Sequence, residues 1–176
     1  MKIDVLKVGY LQANCYILSI NEDYLIIDPG DEAHKIEDKI MGIVHGILIT
    51  HRHDDHIGAL KDIYDKYKCH IYEYNNLFEN KTYHVGPFEF KVIYTLGHTL
   101  DSVTFYFPKE KVMFTGDFLF KGTIGRTDFY NSDSHLMMDS LEKIIKYENV
   151  TIYPGHGPST TLEDEKCENP FLKRLV

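Results

Sequence analysis

Apolar residues in this chain fall mostly in short runs rather than in long helical stripes. Val5 to Val8, Cys15 to Ile20 and Tyr24 to Ile27 are β-branched or aromatic stretches separated by Gly, Asn and Asp, and they predict an opening antiparallel meander. Gly42 to Thr50, reading GIVHGILIT, is nearly unbroken apolar, as a strand buried on both faces requires, and it implies a central sheet. The period then changes. Ile57, Leu60, Ile63, Tyr64 and Tyr67 recur at helical spacing with Asp and Lys between them, which predicts one amphipathic helix over 57–67 against that sheet.

A second set of strands is predicted around Ile71 to Tyr74, Tyr83 to Val85, Phe88 to Tyr94, Val103 to Phe107 and Val112 to Thr115, with turns at Gly86-Pro87 and Pro108-Lys109-Glu110. Asp133 or Ser134 can cap a helix that shows Met137, Leu141, Ile144 and Ile145 on one face, and Val150 to Tyr153 is a last buried strand. No fixed-period repeat or linker divides the chain, so residues 1–176 are expected to form one domain. Strands, helix, strands, helix in that order predict an αββα sandwich, an α/β fold of two mixed sheets with helices on both outer faces.

Composition narrows the function. Lys and Arg number 19 against 27 Asp and Glu, a net charge of -8, which leaves no basic excess for nucleic-acid phosphates or an anionic membrane surface. The first 18 residues are interrupted by Lys2, Asp4, Lys7 and Gln12 and do not form a signal h-region, so a cytoplasmic location is expected. Cys15, Cys69 and Cys167 are too few and too far apart for a disulfide framework or a metal clip, and are expected as reduced thiols. The unusual feature is histidine, ten of them, unevenly clustered.

Thr50-His51-Arg52-His53-Asp54-Asp55-His56 places three His and Asp55 directly after the buried strand, where a loop on a rigid sheet can aim them at one point. Imidazole and carboxylate suit zinc, and also iron or manganese. Four such ligands crowd a single tetrahedral ion, so a pair of ions with further ligands is the natural solution. His98 in LGHT, Asp117 in TGD and His156 in PGHG each stand at the end of a predicted strand beside a glycine. His34, His45, His70, His84 and His135 match no motif and are assigned to surface or packing.

With these motifs, together with Asn14-Cys15-Tyr16 and Ile27-Asp28-Pro29-Gly30, nearly the whole chain resembles the metallo-β-lactamase-fold hydrolases. Phe120-Lys121-Gly122-Thr123-Ile124-Gly125-Arg126-Thr127-Asp128 looks like the corresponding segment of short bacterial relatives of glyoxalase II, the hydroxyacylglutathione hydrolases. The resemblance implies one metal held by His51, His53 and His98, a second held by Asp55, His56 and His156, and Asp117 bridging them. Asp55 and Asp117 would have catalytic as well as ligand roles, and Asp54 falls at a variable position. Two zinc ions are the implied cofactors, with iron or manganese admissible. Such a pair lowers the pKa of a shared water from 15.7 toward about 7 and polarises a carbonyl, so no Ser or Cys nucleophile is needed.

The resemblance implies hydrolysis of a small-molecule thioester of the hydroxyacyl-glutathione type. The pattern departs at Leu100-Asp101-Ser102, where many relatives have a proline and two small residues, and only 20 residues follow His156, so no C-terminal helical glutathione-binding domain is expected. The main alternative is a persulfide dioxygenase with one iron on His51, His98 and Asp117. Lactonase, β-lactamase and a non-catalytic binding module rank below. Asp28 is either a turn former or a hydrogen-bonding support for a ligand histidine. Arg126 and Asp128 are either a surface ion pair or part of the site loop.

Overall fold

A computed structural model describes all 176 residues. The first sheet contains β1 (Lys2–Val8), β2 (Ala13–Ile20), β3 (Asp23–Ile27), β4 (Ile43–Leu48) and β5 (His70–Tyr72), in that spatial order. The first three form the expected antiparallel meander, and β4 and β5 continue it in parallel. Parallel neighbours need crossovers. They are α1 (Ala33–Glu37) before β4, and α2 (Asp54–Ile57) with α3 (Leu60–Tyr67) before β5.

The second sheet holds β6 (Thr82–Val85), β7 (Phe88–Tyr94), β8 (Val103–Phe107) and β9 (Val112–Gly116) as an antiparallel series. The chain then forms the small hairpin β10 (Leu119–Phe120) and β11 (Thr123–Ile124), and crosses through α4 (Ser134–Ile144) to β12 (Thr151–Pro154), parallel to β9. The edge strand β13 (Thr160–Thr161) and α5 (Leu162–Glu168) complete it.

Alternation along the strands produces the four layers. On β2, Tyr16 and Leu18 join Leu25, Leu48, Phe90, Phe105 and Phe114 between the sheets. Cys15 and Ile17 face the other way, against Ile36 of α1 and Ile63 of α3. On the far side, Met113 and Ile152 pack on Met137, Leu141 and Ile144 of α4 and Leu162 of α5. Both faces of the inner strands are therefore dry, as the run GIVHGILIT anticipates, while the edge strands β1, β5 and β6 stay largely open to solvent.

Two expectations change, and several short elements are added. The helix over 57–67 is two helices, beginning already at Asp54, because Ala59 donates its N–H to the Pro29 carbonyl (3.0 Å) and leaves the helical ladder there. The Ile71–Tyr74 strand is β5 over His70–Tyr72, and it completes the first sheet beside β4 rather than opening the second. The short elements α1, β10, β11, β13 and α5 carry too few periodic positions to be anticipated from the sequence.

Candidate metal centre

The strand ends β4, β9 and β12 and the β7–β8 loop deliver all seven candidate ligands to one end of the sandwich. His51, His53, His98 and Asp117 present ligand atoms within 4.8 Å of one another, and so do Asp55, His56 and His156. The Nε2 atoms of His51 and His98 each lie 3.1 Å from His53 Nδ1. His156 Nε2 is 3.1 Å from Asp55 Oδ2, and His56 Nε2 is 3.7 Å from the same oxygen. Asp117 lies between the groups, with Oδ1 3.3 Å from His56 Nε2 and Oδ2 3.7 and 3.6 Å from the Nε2 atoms of His98 and His156.

Supporting hydrogen bonds decide where the lone pairs point. His98 Nδ1 donates to the Arg126 carbonyl (2.9 Å), so its Nε2 is a bare acceptor. His56 Nδ1 donates to Asp28 Oδ2 (2.9 Å), which turns its Nε2 toward Asp117. Thr50 Oγ1 donates to Asp28 Oδ2 (2.6 Å) and therefore accepts from His51 Nδ1 (3.1 Å), leaving the His51 Nε2 lone pair facing the cluster. Fixing the tautomer through the far ring nitrogen is how protein scaffolds prepare imidazole ligands. Asp28 also takes the Thr50 N–H on Oδ1 (2.8 Å). Asp28, His51 and His56 are close enough to form a third cluster, but the carboxylate is used up as a hydrogen-bond acceptor, so Asp28 supports ligands rather than acting as one. It does so from a left-handed backbone (φ 50°), which an Asp tolerates.

Glycines serve here by close approach. A Cβ on Gly125 would overlap the Asp117 carbonyl oxygen, one on Gly155 would overlap Asp117 Oδ1, and one on Gly30 would overlap the Asp55 carbonyl oxygen. Asn14 fastens the PGHG loop by donating from Nδ2 to the carbonyls of Pro154 (3.0 Å) and Gly157 (2.9 Å). Tyr16 Oη donates to the same Pro154 carbonyl (2.5 Å). The Asn14-Cys15-Tyr16 motif thus positions His156, while Cys15 points away into the apolar core, where burial pushes its thiol far above the ordinary range.

Electrostatics divides the ligands. Burial, with repulsion from His56, His53 and His98, holds His51 well below its ordinary value, and burial also lowers His53. Burial works against a charged His56 as well, but the Asp117 and Asp28 carboxylates outweigh it and push His56 up to about 10. The hydrogen bond from His156 holds Asp55 down at about 2, and Asp55 raises His156 in return. Burial opposes ionisation of Asp117, yet His56, His156 and His98 keep it below the ordinary carboxylate value. His56 Nε2 and Asp117 Oδ1 are buried and have no hydrogen-bond partner despite their proximity. A pair of orphaned polar atoms costs about 1–3 kcal/mol each in a protein interior. A cation between them removes that cost, and the imidazole and carboxylate donors suit zinc, iron or manganese.

The cluster opens into a cavity of about 370 Å³ whose wall includes Leu11, Phe120, Gly125, Arg126 and Phe129. Leu11 and Phe129 were not anticipated as site residues. Each is an isolated apolar side chain in a polar turn, a signal with no period to reveal it. Arg126 and Asp128 form an exposed bidentate pair (2.6 and 2.7 Å), and Arg126 also lies 4.3 Å from the Phe129 ring centre. The pair is thus the surface ion pair of the first reading, and Arg126 meets the site through its backbone carbonyl on His98 and by lining the cavity.

The metallo-beta-lactamase superfamily model matches residues 8–87 and 74–156, which contain every one of these candidate ligands. The chain belongs to that superfamily. Its members are generally metal-dependent hydrolases. Among its relatives, the probable metallo-hydrolase YqgX of Bacillus subtilis (strain 168) is 34% identical over 206 positions covering 98% of both proteins. The hydroxyacylglutathione hydrolase GloC of Haemophilus influenzae is 31% identical, again over 98% of both. Similar solved structures include the BLEG-1 B3 metallo-beta-lactamase (TM-score 0.90, 31% identity, 97% of this chain and 99% of that one) and TTHA1623 in a di-iron-bound form (0.87, 30%, 96% and 100%). ETHE1 from Myxococcus xanthus is also similar (0.87, 25%, 97% and 84%). No helix of this superfamily member is long and apolar enough to cross a membrane.

Proposed function

We propose that this protein is a dinuclear metal-dependent hydrolase that cleaves a small-molecule thioester of the hydroxyacyl-glutathione type. The observation that carries the proposal is the placement of Asp117 between two complete donor groups, His51, His53 and His98 on one side and Asp55, His56 and His156 on the other. When bound, the two ions supply an activated water and electrophilic polarisation of the carbonyl. The chain supplies the rest. Asp28, Thr50 and the Arg126 carbonyl hold three imidazoles in one tautomer each. Asp55, kept ionised by His156, is the carboxylate available to take a proton from the attacking water. Leu11, Phe120 and Phe129 give the acyl group an apolar wall and keep bulk water off that side. The thiolate product needs no proton to depart, so a dedicated acid is not required. The similarity to GloC over the full length supports thioesters as the substrate class.

The similarity to ETHE1 is compatible with a second reading, a mononuclear iron persulfide dioxygenase on His51, His98 and Asp117. Metal analysis combined with a panel of thioesters, lactones, β-lactams and glutathione persulfide, the last followed by oxygen uptake, separates the two. Two metals per chain with thioester turnover is the expected result. One iron per chain with persulfide-dependent oxygen consumption overturns it.

A further inference from the structure

Apart from the candidate metal ligands, the cavity over the cluster is lined by Leu11, Phe120, Gly125, Arg126 and Phe129. None of the five carries a hydroxyl or an amide side chain. The one charged group among them, the Arg126 guanidinium, has two of its nitrogens committed to Asp128 at 2.6 and 2.7 Å, so its charge is already met. What remains for a substrate to touch is apolar, and it stands on both sides of the cluster. The Phe129 ring centre lies 5.4 Å from that of His53 and 5.7 Å from that of His98, edge to face in both cases. On the other side the Phe120 ring centre lies 6.4 Å from that of His156.

Both rings are held in place by polar groups. The guanidinium that Asp128 fixes lies 4.3 Å from the Phe129 ring centre. Phe120 belongs to the hairpin of β10 and β11, and that hairpin is pinned from α5. The Gly122 N–H in its turn donates to Oε2 of the buried Glu165 (2.8 Å), and the buried Asn169 donates from Nδ2 to the Thr123 carbonyl (3.1 Å). Even so, Leu11 is 60% and Phe129 39% exposed. Apolar area that is fixed beside a site and left facing water is area for a bound molecule to cover, and little ordering is needed when it does.

We infer that Phe129, together with Phe120 and Leu11, is a specificity-determining wall that selects for hydrocarbon length in the acyl group, so that thioesters of 2-hydroxy acids with an extended alkyl chain are preferred over the lactoyl thioester. The inference rests on the thioester reading above and narrows its substrate class. The acyl chain is bonded to the carbonyl carbon that must stand over the cluster, so its first methylenes fall within reach of these rings. The thiol carrier of a glutathione-type substrate is a peptide with charged carboxylates, and burying such groups against Leu and Phe is unfavourable. The wall therefore belongs to the acyl part. Each methylene taken out of water is worth about fourfold in binding.

The test compares the glutathione thioesters of lactate and 2-hydroxyhexanoate, which share the carrier and the 2-hydroxyl and differ by three methylenes. The longer is expected to be favoured in kcat/KM by about fivefold or more, the worth of little over one covered methylene, and a smaller ratio overturns the inference. Two variants of similar shape and opposite polarity test the residue. Phe129→Leu is expected to keep the preference within about twofold and Phe129→Asn to lower it about threefold or more, and equal ratios in the two variants overturn the assignment. A further readout does not depend on turnover. The free acids, lactate and 2-hydroxyhexanoate, are titrated into the zinc-loaded protein by calorimetry. They carry the same 2-hydroxycarboxylate head, so their difference in affinity reports the chain alone, and about fivefold tighter binding of the longer acid is expected. If neither thioester is cleaved while the longer acid binds more tightly, the thioester reading falls and the apolar wall stands. Equal affinities overturn the wall whatever the turnover.

Discussion

Asp117 lies between the two candidate donor groups, with Oδ1 facing His56 and Oδ2 near both His98 of one group and His156 of the other. Asn in its place keeps one oxygen donor and loses the charge that two cations can share. Asp117→Asn is expected to retain at least one metal per chain while kcat falls about a hundredfold or more, judged by the size of losses when an electrostatic stabiliser is removed. Metal analysis beside steady-state kinetics checks it, and unchanged turnover rules out a bridging role. His56 adds a pH dependence. Folded, it holds a proton up to about 10 against an ordinary value of 6.5. In metal-free protein this stabilisation is complete below about pH 6.5 and is lost as pH rises through 10. A cation must displace the same proton, so zinc affinity is expected to rise between pH 7 and 9 with proton release on binding. Chelator competition at the two pH values, with an indicator dye counting protons, decides the point.

The elements are tuned to deliver ligands rather than to maximise regularity. The interruption at Ala59 lets α2 carry Asp55 and His56 while α3 lies on the sheet through Leu60 and Ile63. At α4, Asp133 Oδ1 accepts from the N–H groups of His135 (2.8 Å) and Leu136 (3.1 Å), and the Asp133 N–H donates to the Gly97 carbonyl (2.8 Å), next to His98. The cap therefore anchors the LGHT loop as well as the helix. Asp133→Ala is expected to cost about 1 kcal/mol of stability, the usual price of a lost N-cap. Urea denaturation of the metal-loaded protein measures it, and because the Gly97 contact is made by backbone, kcat is expected to stay within about twofold.

Seven candidate donors come from four separate stretches of chain, so a metal bound by them would be coupled to the fold's stability. A ligand that binds only the folded state adds about 2.7 kcal/mol at a hundred times its Kd. Stripping the metals with a chelator is therefore expected to lower Tm by at least several degrees and readdition of zinc to restore it, with stoichiometry approaching two per chain. A Tm indifferent to chelation contradicts this coupling. The net charge of -8 is spread widely, with pairs such as Lys61–Asp65 and Lys66–Glu37 on the outer helices. Exposed pairs of this kind contribute little individually, so stability should respond far more to metal than to salt.

The amino-acid sequence alone determined whatever is repeated or clustered locally. Nearly unbroken apolar runs on β2, β8 and β9 specify strands with both faces buried, because side-chain direction has a period of two and each face then receives apolar residues. The spacing of His51, His53, Asp55 and His56 specifies metal chemistry, because ligands five residues apart or fewer are already neighbours. The tertiary structure alone decided which groups meet across distance. Asp28 is 28 residues from His56, and the Arg126 carbonyl 28 from His98, so their support of the imidazoles has no local signature. The same holds for β5, whose three residues join β4 only because α2 and α3 carry the chain back across the sheet. Leu11 and Phe129 line the cavity because β1–β2 and the loop before α4 end beside one another, a matter of strand order rather than of composition. Local pattern is written in a few consecutive residues, whereas a cavity wall is the sum of several strand ends whose adjacency exists only once the sheets have packed.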